Sequence, residues 1–105
     1  MEDREYLVIL YDYYGELLND SQRKYFEEYY FENLSLSEIS ENDDKSRNAI
    51  HKSIKSSSSK LYEYEEKLGL YKKKRKLDTI INKIDDVEIK NILKELIWEI
   101  DCLYI

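Results

Sequence analysis

The chain has 105 residues, no proline and only two glycines, enough for one domain with one modest core. With 42% hydrophobic and 38% charged residues, it is globular rather than disordered, and the scarcity of turn formers argues against a β protein and for an all-α one. A formal net charge of −6 argues against a general nucleic-acid binder, and eleven tyrosines suit a small core whose edges stay wet.

The first predicted helix is "REYLVILYDYYGELL", where Tyr6, Ile9, Leu10, Tyr13, Tyr14, Leu17 and Leu18 fall on one broad face. Gly15 inside it costs about 1 kcal/mol against alanine and marks close packing. Asn19 or Asp20 caps a second helix, "SQRKYFEEYYFE", which turns Tyr25, Phe26, Tyr29 and Tyr30 inward. Ser35 and Glu38 form a capping box opening a short helix that directs Leu36 and Ile39 to the core. Ser46 caps a long helix with Ala49, Ile50, Ile54, Leu61 and Tyr62 or Tyr64 inside. The serines 56–59 are poor helix formers. The apolar register nevertheless runs across them to Leu61, so the helix is read as continuous until Gly69 supplies a left-handed end. A further helix carries Leu77, Ile80, Ile81 and Ile84, and "IDDVE" holds an aspartate cap for the last one. There Ile89, Leu93, Leu96, Ile100 and Leu103 repeat every seven residues, with Ile92, Ile97 and Trp98 widening the apolar surface. That pattern is expected of a helix facing a partner subunit.

Charge is unevenly placed. Residues 1–44 hold thirteen acids and three bases, residues 45–60 five bases and no acid, and residues 61–105 ten acids and nine bases. The two basic blocks are "KSRNAIHKSIKSSSSK" and "KKKRK" at 72–76. The lone Cys102 rules out an internal disulfide framework and reads as a small apolar residue near a helix end, fitting a reducing cytoplasm. No signal-peptide pattern and no apolar run near the ~20 residues of a membrane span is present, so no membrane insertion is expected.

Catalytic chemistry finds no support. His51 is the only histidine and has no cysteine near it in sequence, so neither a zinc site nor any other cofactor is expected. The pairs Asp43–Asp44 and Asp85–Asp86 read as helix-start caps rather than acid/base dyads, and no glycine-rich phosphate loop occurs. The expectation is a protein without enzyme activity.

Residues 34–55 instead fit a helix-turn-helix: a bracing helix at about 36–42, a turn, and a recognition helix at about 46–67. Ala49 is small where the two helices would cross. Lys45, Ser46, Arg47, Asn48, His51, Lys52 and Lys55 would face the major groove. Arginine reaches guanine edges and asparagine adenine edges, while lysines and serines hold phosphates. A solvated basic face is the plain alternative for the same residues.

"LYDYYGELLNDSQRKYFEEYYFENLSLSEISEN", "SRNAIHKSIK" and "LYEYEEKLGLY" resemble the YlxM-like family of small bacterial proteins, over roughly residues 5–71. The resemblance implies an all-α bundle like sigma-factor region 4, with a C-terminal helical extension, and a DNA-binding regulator, dimeric and not an enzyme, linked to the signal recognition particle pathway. By position, the recognition helix starts at Ser46, Arg47 and Asn48, where the family shows Ser-Arg-Gln. The turn departs from the pattern: apolar-glycine-apolar becomes Asp43, Asp44 and Lys45. The glycine position calls for a positive φ that aspartate adopts at some cost, and two aspartates bring negative charge close to where phosphates would lie. Together these readings divide the chain into a helix-turn-helix bundle at 1–70 and an oligomerising helical hairpin at 71–105. They predict a cytoplasmic homodimer whose partner is DNA. A protein-interaction module of the secretion machinery, or an RNA binder, is the alternative.

Overall fold

The computed structural model describes residues 3–104, with side chains described to residue 99. It contains six α-helices and no strand among the described residues: α1 (Arg4–Tyr14), α2 (Asp20–Tyr30), α3 (Leu36–Asp43), α4 (Arg47–Leu68), α5 (Leu70–Asn82) and α6 (Val87–Tyr104). The all-α expectation holds. The molecule is elongated, 57 × 21 × 20 Å, because α4 alone spans about 33 Å at 1.5 Å per residue.

Each helix start has a local chemical cause. Asp3 accepts the amides of Glu5 and Tyr6, and Asn19 with Gln22 and Ser35 with Glu38 form reciprocal capping boxes. Ser46 accepts the amide of Ala49, and Asp86 accepts those of Glu88 and Ile89. These contacts satisfy amides that the first turn of a helix leaves open. Gly69, at φ +61°, ends α4 in the left-handed region and leads directly into α5. With no side chain there to cap α5, Glu65 reaches over from α4. Its carboxylate accepts the amides of Tyr71 and Lys72, both at 3.2 Å, and the Tyr14 hydroxyl at 2.6 Å.

The core forms two neighbouring clusters along α4. One gathers Leu7, Leu10, Tyr11, Tyr14, Leu18, Phe26 and Leu61; the other gathers Tyr25, Ile39, Ile50 and Ile54. Ser57 and Ser58 occupy the turn of α4 between Ile54 and Leu61 and are fully buried. Their hydroxyls donate to the carbonyls of Ser53 and Ile54, so neither is left unsatisfied. The serine run is therefore interior helix, as the register across it implied.

Several burial expectations are corrected. α1 stops at Tyr14 and passes into a single 3-10 turn at Gly15–Leu17, which rotates the following residues. Leu17 is consequently 56% exposed, while Leu7 and Tyr11, outside the expected face, are buried. A Cβ on Gly15 would lie 2.9 Å from the Tyr11 ring, and that ring stacks on Phe26 at 4.6 Å. Close packing at Gly15 is thus real. Ala49 is exposed and does not sit at the crossing of α3 and α4; Ile39 and Ile50 fill that place. Asp43 and Asp44 lie at the end of α3, not at a helix start.

α5 and α6 pack against each other and both touch α1. Leu70 and Tyr71 join the edge of the first cluster, and Ile81 is buried. Leu77, Ile89, Ile92, Leu96 and Trp98 are about half exposed or more. The side chains of Ile100, Cys102 and Leu103, on which the expected heptad pattern and the reading of the cysteine partly rest, lie outside the described residues.

Candidate nucleic-acid interface

The link between α3 and α4 is a tight, well-satisfied turn. Asp44 adopts φ +50° and ψ +43°, the left-handed conformation that the family's glycine would supply. Its amide and that of Lys45 both donate to the carbonyl of Ser40, and the Ser40 hydroxyl donates to the carbonyl of Lys45 at 2.6 Å. Ser46 then turns extended and caps α4. Aspartate tolerates this conformation better than most residues because its short polar side chain fits there.

Asp43 takes over an anchoring role from the apolar residue the family pattern expects. Its carboxylate accepts the Tyr25 hydroxyl and the Lys24 ammonium, the latter at 3.1 Å. The Tyr25 bond, and then Lys24, hold the Asp43 carboxyl below its ordinary range. Reciprocally, the bond to Asp43, with burial behind it, pushes the Tyr25 hydroxyl up to about 12. A carboxylate at the end of a helix faces the negative pole of the helix dipole, and these two donors offset that cost. Sequence reasoning missed this anchor, since eighteen residues separate Tyr25 from Asp43 and only the fold brings them together.

Beyond the turn, all seven candidate groove-facing residues are exposed: Lys45, Ser46, Arg47, Asn48, His51, Lys52 and Lys55. Ile50 and Ile54 hold the other side of α4 on the core, so Arg47, Asn48, His51, Lys52 and Lys55 share one broad face of its first turns, with Lys45 and Ser46 in the link just before it. Arg47, Lys52 and Lys55 have no ion-pair partner among the described residues. Three unneutralised cations beside a polar Asn48 can hold an anion chain and read a base edge. Ser46 is the exception among the seven, because its hydroxyl already serves as the cap.

His51 and Lys55 also line a groove whose far wall comes from Arg4, Tyr29 and Tyr30. Arg4 donates to the carbonyl of Tyr30 and to the Asn33 side chain, each at 2.5 Å, and lies over the Tyr30 ring at 5.4 Å. It thereby closes the end of α2 against the start of α1. These wall residues lie far from the helix-turn-helix in sequence, and no local pattern marks them.

Among the described residues no group of histidine, cysteine, aspartate and glutamate could hold a metal ion, and no described helix is long and apolar enough to cross a membrane.

Residues 1–100 match the family described as "Putative helix-turn-helix protein, YlxM / p13 like" (UPF0122). A UPF0122 protein of Thermoanaerobacter sp. (strain X514) is 41% identical over 111 residues, covering 95% of both chains. One from Caldanaerobacter subterraneus subsp. tengcongensis is 45% identical over 85 residues, covering 81% of this chain and 73% of that protein. A third, from Mycoplasma capricolum subsp. capricolum, is 43% identical over 94 residues, covering 85% and 83%. With a tight helix-turn-helix at its centre and relatives aligned along most of its length, the chain belongs to the YlxM/p13-like helix-turn-helix family.

Proposed function

We propose that this chain is a non-enzymatic DNA-binding regulator that docks α3, the 43–46 turn and α4 on duplex DNA. The observation that carries the reading is the exposed, unneutralised basic face at the start of α4, held in place by a closed turn. In this mechanism Lys45, Lys52 and Lys55 grip phosphates, with Ser46 and His51 beside them, while Arg47 and Asn48 meet base edges. Three or four phosphate contacts bind weakly at physiological salt, so two copies on one duplex are required for useful affinity. Residues 1–70 form the helix-turn-helix bundle and 71–105 a hairpin that also oligomerises, a division supported by the exposed apolar residues of α5 and α6. The lone Cys102 favours a place in the cytoplasm, and the family resemblance supports a link to the signal recognition particle pathway.

Titration of fluorescent duplex DNA at rising salt, with wild type and Arg47→Ala/Lys52→Ala, tests the reading. Salt-dependent binding that the double substitution weakens at least tenfold is expected. Binding indifferent to salt or to the substitutions would sink it. A second reading, docking on protein or RNA without DNA, is favoured by one feature: the exposed Asp44 carboxylate beside the basic face. Salt-dependent binding to RNA alone would select that reading.

A further inference from the structure

The basic run at 72–76 has no role in the helix-turn-helix, yet the fold builds it into a groove. Lys72, Arg75 and Lys76 share one face of α5 and line a cleft together with Tyr6, Tyr71 and Ile80. The Arg75 guanidinium lies over the Tyr71 ring at 5.7 Å. Glu65 is the one acid on the lining. Its oxygens already accept the Tyr14 hydroxyl and the Tyr71 and Lys72 amides, so it is committed to holding the first turn of α5 in position.

This cleft lies on the same side of α4 as His51 and Lys55. Tyr62 follows them by eleven and seven residues, which returns to the same helical face within about 20°. The Tyr62 ring meets Tyr6 at 5.8 Å, and Tyr6 meets Tyr71 at 5.9 Å. The path from the recognition helix therefore runs some 16 Å along α4 to Tyr62, over the first turn of α1, and into the α5 cleft. Its two ends are basic and its middle is aromatic and hydroxyl-bearing, a mixture that suits sugar–phosphate backbone. Asp3 and Glu5 bring negative charge to that first turn, but Asp3 is engaged as its cap.

We propose that Lys72, Arg75 and Lys76 form a second phosphate anchor for the same duplex that the recognition helix holds. One strand then follows this face of α4 from His51 and Lys55 to α5, within the ~34 Å of a single DNA turn. The proposal rests on the DNA-binding reading and adds to it a footprint wider than the helix-turn-helix.

The test compares wild type, Lys72→Ala/Arg75→Ala/Lys76→Ala and Lys73→Ala/Lys83→Ala/Lys94→Ala on one 24-base-pair duplex across a salt series, with circular dichroism confirming helicity. The last variant loses the same charge away from the cleft. The cleft variant should bind roughly tenfold more weakly at moderate salt. Its slope of log affinity against log salt should shrink by about 2 to 3, near 0.9 per lost phosphate contact, while the control variant stays within about twofold of wild type. Equal losses in both triple variants would mean long-range charge alone and would overturn the anchor. So would a wild-type slope in the cleft variant, including the case where that variant instead loses binding to poly-glutamate, which would assign the cleft to an acidic protein. If Arg47→Ala/Lys52→Ala abolishes binding while the cleft variant does not weaken it, the anchor fails and the DNA reading stands. If wild type binds no duplex, both fail.

Discussion

The Tyr25 hydroxyl donates to the Asp43 carboxylate, tying the middle of α2 to the last residue of α3. Tyr25 is 5% exposed and packs with Ile39, Ile50 and Ile54. One side chain thus serves both the core under α4 and the turn that leads into it. A phenylalanine in its place keeps the packing and loses the tie.

Stability should show this bond through pH. The Asp43 carboxyl is held below its ordinary value of 3.8, so its contribution is present above that value and is lost as pH falls through the lowered one. The Tyr25 hydroxyl is raised from 10.0 to about 12, so its contribution is present below 10 and is lost as pH rises toward 12. Tyr25→Phe should therefore have a lower urea midpoint than wild type by a constant amount between about pH 5 and 9. The gap should narrow below about pH 4 and again above about pH 10. A gap that persists unchanged at pH 3 would show that the bond does not stabilise the turn.

Asp44 offers a different experiment, because its backbone conformation is the one glycine adopts freely. Holding a non-glycine residue left-handed costs about 1 kcal/mol, while glycine brings extra chain entropy to the unfolded state. Asp44→Gly should then stabilise by about 0.5 kcal/mol in urea unfolding. It also removes an exposed negative charge beside Lys45 and Arg47, so duplex binding should tighten roughly twofold at low salt. Asp44→Asn separates the two effects: binding tightens and stability stays near wild type. Weaker binding in both variants would show that the carboxylate contributes to the interface.

The buried serines of α4 make a third case. Ser58 has no exposed surface and its hydroxyl only repeats a bond to the Ile54 carbonyl, which the helix ladder already uses. Alanine keeps the small volume and has the higher helix propensity, so Ser58→Ala should gain about 0.5 kcal/mol. Ser58→Leu must force a larger side chain between two filled clusters, at about 1–3 kcal/mol. Thermal unfolding should rank the three proteins alanine, serine, leucine. A leucine variant as stable as wild type would mean the turn between Ile54 and Leu61 is loosely packed.

What the sequence made legible follows from how local each cause is. The capping box at Ser35, the cap at Ser46 and the end at Gly69 are each written within four residues and are readable there, while the sequence narrows the other two caps only to Asn19 or Asp20 and to an aspartate of "IDDVE". The continuity of α4 through Ser56–Ser59 was readable from the apolar register alone. Expectations fail where the helical period breaks or a distant neighbour decides: Leu17 is turned outward because the α-helix gives way to a 3-10 turn after Tyr14, and Ala49 is left outside because Ile39 and Ile50 fill the crossing. In the candidate interface, the exposed residues of α4 followed from periodicity. The Tyr25–Asp43 tie and the Arg4, Tyr29 and Tyr30 wall did not, because they join residues that only the tertiary fold brings together.

The hairpin prediction turns on surface that water should not cover alone. Leu96 is 51% exposed and Trp98 65%, on a helix where Val87, Ile89 and Ile92 are also about half exposed or more. Full burial of each large apolar side chain contributes about 1.5–3 kcal/mol; Ile89, Ile92 and Leu96 share one face of α6 while Val87 and Trp98 lie on the other, and this much exposed apolar surface is expected to meet a second copy. Sedimentation at micromolar concentration should give a dimer for wild type and a 12.8 kDa monomer for Leu96→Asp/Trp98→Asp. Helical signal should be retained, because the remaining clusters on α4 are untouched. The monomer should bind duplex DNA at least tenfold more weakly, since each copy then meets its half-site unassisted. A wild-type monomer, or a dimer unaffected by both charges, would remove α6 as the oligomerising surface and with it the proposed route to useful affinity.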